Sequence, residues 1–170
     1  METFLNAVHV LFAVLLIGPL VFAPFAARRA IGRRSADGVR SAAKQMAFFG
    51  AGSLVVAGLG VLALIASDRY DFGTPWVIIS ITLYVLALAL IYFYAIPALR
   101  KAARMVEEGV VGGRPVAAGD EATQLAPSSE DMRTKERLDA IAGRITGAGA
   151  LVLLAFAAIT VLMSARPFGS

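Results

Sequence analysis

Four apolar stretches, separated by polar segments of very different length, organise this chain. They cover roughly residues 4–26, 45–66, 76–99 and 145–164. Each is close to the ~20 residues that carry a helix across ~30 Å of hydrocarbon. Inside lipid a helix satisfies its own backbone hydrogen bonds, and the period-two alternation of a membrane strand is absent. The pattern predicts an all-α fold, a four-helix transmembrane bundle in a single integral membrane domain spanning 1–170.

The polar segments predict local structure. Ser35 is placed to cap the second helix before Gly38 and Val39, and Pro75 suits the first position of the third. The third helix is expected to run on from Arg100 to Glu108. Residues 109–127 carry Gly109, Gly112, Gly113, Pro115, Gly119 and Pro127, with few large apolar side chains. They predict a flexible stretch within the 100–144 loop. Ser128 and Asp131 resemble a capping box, after which Met132, Leu138, Ile141 and Ile145 form an apolar stripe into the last helix. One helix from about residue 129 to 164 would be ~54 Å long and would project beyond the bilayer.

Charge orients the bundle. Of sixteen Lys and Arg residues, only Arg69 and Arg166 lie outside the first and third loops. The positive-inside rule puts those loops in the cytoplasm and both termini on the extracytoplasmic side. Tyr70, Phe72 and Trp76 belong at the opposite interface. The sequence pI near 9.9 follows from this topology and fits contact with anionic lipid; it does not indicate nucleic-acid binding. Glu2 precedes the first apolar run with no Lys or Arg, the reverse of a signal-peptide n-region, so a retained helix is expected.

The second and fourth helices share a faint repeat, GAGSLVVAGLGVLALIASDR and GAGALVLLAFAAITVLMSAR, aligned at Gly50 and Gly147. With Pro24 and Pro97 each followed by basic residues, this suggests two similar helical hairpins; chance matching in Ala, Leu, Gly and Val-rich text is the competing explanation. Small residues mark expected packing faces: Gly50, Ser53, Ala57 and Gly60 in the second helix, Gly143, Gly147 and Ala150 in the fourth. Such residues let backbones approach closely. Packing inside the bundle is the simpler assignment, a homo-oligomer seam the alternative.

Chemistry-bearing groups are few. There is no cysteine, which excludes disulfides and thiolate sites. Walker, HExxH and Rossmann motifs are absent, as are paired intramembrane carboxylates. His9, the one histidine, lies near the outer end of the first helix with Asn6 one turn before it. A membrane histidine is either a hydrogen-bonded structural group or a ligand to haem or copper. Met163 lies at a comparable depth and is the candidate second ligand to a haem b, though methionine is also ordinary packing material.

The opening FLNAVHVLFAVLLIGPLVFAPF, through His9, Val10, Leu11 and Gly18, resembles the first helix of a group of bacterial membrane proteins. The group includes predicted integral membrane proteins without assigned function, the copper-resistance D family and the haem-associated protoporphyrinogen oxidase J family. The resemblance implies a bundle of about four helices in a bacterial cytoplasmic membrane. Carried over from the haem-associated members, it implies His9 as an axial ligand. This chain lacks the tryptophan often found midway along that helix and has no second histidine.

Three functions remain open: a small non-catalytic membrane protein, such as an accessory subunit of a membrane complex or a homo-oligomer; a haem- or copper-associated redox protein using His9; and a small transporter.

Overall fold

The computed structural model describes residues 2–67, 71–112 and 129–165. Among these all regular structure is helical: α1 (Glu2–Gly32), α2 (Ala36–Ile65), α3 (Pro75–Ala89), a π-helical turn (Leu90–Ala95), α4 (Ile96–Gly112) and α5 (Ser129–Ala165). Four helical stretches are long and apolar enough to cross a membrane: Ala7–Gly32, Ala36–Ile65, Pro75–Glu108 and Met132–Ala165. α3, the π turn and α4 together form the third.

The helices extend beyond the apolar runs. α1 continues past Pro24 to Gly32, and the third span past Pro97 to Gly112. Gly109 and Gly112 therefore stand in helical backbone. The remainder of the 109–127 stretch, with Ser128 and the Asp131 side chain, lies outside the described residues. α5 has 37 residues, about 55 Å at 1.5 Å per residue, and so exceeds the bilayer core as expected. The packed core follows it outward: Val39, Ala42, Leu99, Ala102, Val106, Leu138 and Ala142 are buried at the loop end.

α1 lies between α2 and α5, and the third span closes the bundle against α2 and α5. The α1–α2 connection is a Schellman turn. Ser35 N–H donates to Ala30 O at 2.9 Å and Arg34 N–H to Ile31 O at 2.9 Å, with Arg34 left-handed at φ 52°. Ser35 caps α2 as expected, its Oγ accepting from Gly38 N–H at 3.1 Å. Pro75 starts α3 after Thr74.

The π turn corrects the phase of the third span. On an undistorted helix at about 100° per residue, buried Trp76, Ser80 and Ala87 would point about one residue-step away from buried Leu99, Ala102 and Val106. A π turn holds one surplus residue, which brings both sets onto the core. Pro97 explains its position: proline has no N–H and its ring collides with the carbonyl four residues earlier, so a wider turn relieves the conflict.

Candidate functional site

His9 is buried between α1 and α2. Its Nδ1 lies 2.9 Å from the Val56 carbonyl oxygen. A carbonyl can only accept, so Nδ1 carries the proton. Nε2 is then left with a lone pair, and it has no hydrogen-bond partner among the described residues. Gly60 makes the contact feasible. It lies one helical turn after Val56, where a side chain would cover that carbonyl. A Cβ on residue 60 would be 3.0 Å from His9 Cε1.

A second polar cluster joins α2 to the third span. Ser53 is fully buried; its Oγ donates to Gly50 O at 2.7 Å and accepts from the Tyr84 hydroxyl at 3.0 Å. Tyr84 in turn meets the Phe156 ring edge-on, with centroids 6.3 Å apart. Tyr92, from the π turn, donates to Ala47 O at 3.1 Å and lies over Gly50, where a Cβ would be 3.1 Å from the hydroxyl oxygen. Hydrogen bonds of this type between membrane helices contribute about 0.6 kcal/mol on average and up to about 1.7 kcal/mol.

The expected packing residues therefore separate. Gly50 and Ser53 face the third span, Gly60 faces α1, and Ala57 is half-buried. On α5, Ala150 is half-buried, but Gly143 and Gly147 are exposed, and a Cβ on either would meet nothing within 4 Å. Their expected place inside the bundle is corrected: the buried face of α5 is set by Leu138, Ala142, Ile145, Val152 and Phe156, and both glycines lie opposite it. The close approach falls at Gly149 instead, where a Cβ would be 2.6 Å from Pro24 Cβ. The repeat behaves accordingly. Gly50 and Gly147 have different surroundings, whereas the aligned Gly52 and Gly149 both meet α1, at Leu16 and Pro24.

Met163 is 36% exposed near the end of α5, while the contacts that fix His9 come from α2. The Asn6 side chain lies outside the described residues. Among the described residues no three His, Cys, Asp or Glu side chains converge on a common point. Ser80 is buried on α3, and among the described residues its Oγ has no hydrogen-bond partner. A serine in an apolar helix carries no sequence signal that separates it from packing.

At the loop end Arg40 of α2 pairs with Asp37 of its own helix at 3.3 Å and with Glu107 of α4. This pair crosses from α2 to α4 where the core leaves the apolar segments.

Neither a curated protein nor a solved structure shows significant similarity to the chain. A family model does, described as a predicted integral membrane protein (DUF2269), over residues 3–118, which include His9, Gly60 and the π turn. With four membrane-length apolar helices and this match over most of its length, the chain belongs to the DUF2269 family of predicted integral membrane proteins.

Proposed function

We propose that the chain is a non-catalytic accessory subunit of a larger membrane complex in a bacterial cytoplasmic membrane, with both termini on the extracytoplasmic side. One observation carries this reading: three polar side chains within the spans bond one helix to another. His9 engages Val56, Ser53 engages Tyr84, and Tyr92 engages Ala47. They support bundle shape and leave large apolar side chains facing outward, among them Phe22, Phe48, Leu154 and Val161. Such faces accept lipid or neighbouring helices. The test is extraction of the tagged chain in a polymer that retains its membrane surroundings, followed by quantitative mass spectrometry. A single membrane protein at fixed stoichiometry supports the proposal. A lone chain in every preparation overturns it.

The His9 geometry favours a second reading, a haem- or copper-associated protein. Histidine ligands characteristically donate their other ring N–H to a carbonyl or carboxylate, which fixes the tautomer and aims the free nitrogen. The Nδ1–Val56 bond is such an arrangement, and Nε2 would be the ligating atom. A bound haem would supply electron transfer; the chain would supply orientation through Val56 and Gly60. Stoichiometric haem or copper in the purified protein, absent from His9→Gln, would establish this reading in place of the first.

A further inference from the structure

We propose that the groove between α2 and α4 at the loop end binds the headgroup of an anionic phospholipid. The inference is independent of the accessory-subunit reading. Arg40, Lys44 and Ala47 occur at spacings of four and three on α2, so they share one face. Arg100, Arg104 and Glu107 have the same spacing on α4. Two contacts show that these faces meet: Arg40 pairs with Glu107 at the outer limit, and the Tyr92 hydroxyl bonds Ala47 O at the membrane side. Lys44, Arg100 and Arg104 lie between these two clasps.

All three are exposed, and none has an acidic partner within 4 Å among the described residues. The acids on the two stripes, Asp37 and Glu107, are both engaged by Arg40. Basic residues near a helix end are sufficient for orientation; converging on one groove is a separate property. Three cations with free donors match phosphate oxygens, which a guanidinium fork binds in pairs. The source is lipid because the groove opens at the membrane edge. Phe48 and Phe93, next in sequence to Ala47 and Tyr92, are 70% and 85% exposed where acyl chains would lie. Basic pockets between membrane helices bind acidic headgroups on this principle.

The test is lipid titration of the full chain in neutral detergent, read by native mass spectrometry, with phosphatidylglycerol, phosphatidylcholine and inorganic phosphate as probes. The wild type is expected to prefer phosphatidylglycerol over phosphatidylcholine on the order of 100-fold, from three cations acting together. Lys44→Gln/Arg100→Gln/Arg104→Gln should bring the two lipids to near-equal affinity. Arg28→Gln/Arg29→Gln/Arg144→Gln, which removes as much charge from other helix faces, should keep the preference. Should the groove triple variant not fold, Arg104→Glu alone provides the same comparison. Equal loss in both triple variants would reduce the effect to general charge and overturn the site. So would a preference retained without the groove cations. Displacement of the lipid by inorganic phosphate would overturn the assignment to lipid.

Discussion

The Pro24 ring occupies the space that a side chain on Gly149 would need, with the nearest ring carbon 2.6 Å from an ideal Cβ at that position. The kink-prone residue of α1 and the side-chain-free residue of α5 thus form one contact. Gly149→Ala should destabilise the bundle by about 1–3 kcal/mol, because both partners are fixed by their helices and neither can rotate aside. Gly147→Ala and Gly143→Ala should be neutral or slightly stabilising, since a methyl there enters open space and helix propensity favours alanine. Unfolding in mixed micelles by titration with an anionic detergent separates the three. Equal losses at 147 and 149 would contradict the assigned face of α5.

The clasp between His9 and Val56 predicts a graded response. His9→Phe keeps a ring but removes the donor, and should cost about 0.6–1.7 kcal/mol in the same assay. Gly60→Val should cost more, about 1–3 kcal/mol, because it displaces the ring and covers the carbonyl as well. If Gly60→Val had no effect, the α1–α2 contact would not be as close as described.

Arg34 holds a left-handed backbone conformation that L side chains disfavour. Arg34→Gly should therefore stabilise the α1–α2 hairpin by about 0.5–1 kcal/mol, net of the greater freedom of glycine in the unfolded chain. Loss of stability would indicate that the arginine side chain outweighs the backbone strain.

Topology is open to direct measurement. A reporter active only outside the cytoplasm should give signal when fused after residue 170 and none when inserted near Gly113. The reverse pattern would invert the orientation drawn from the basic loops.

The sequence carried the architecture further than the site. Long apolar runs and the stripe from Met132 to Ile145 predict the spans and the projecting α5, because hydropathy and a 3.6-residue period are properties of side chains alone. The partner of His9 was not legible: it is a backbone carbonyl, and every residue has one. Gly60 was visible as a small residue, but its role in exposing Val56 depends on which helix lies opposite. Gly143 and Gly147 matched a packing motif yet face outward, since a motif states how closely a helix can be approached and not which neighbour approaches it. The π turn left one sequence trace, Pro97, which by itself predicts only a bend.

That turn also makes the third span unusually tolerant of a change in length. Losing a residue from an ordinary membrane helix swings everything beyond it by about 100° and tears one half from its neighbours. Within Leu90–Ala95 a spare residue is already accommodated, so the two halves of the span are geared to each other through a slack joint. Deleting one position there would close the turn into regular helix and keep both the Trp76–Ala87 contacts and those of Leu99–Val106, whereas adding one to a regular stretch would set them apart. The surplus residue works as a gear tooth, meshing two helical phases that a uniform screw would hold out of step.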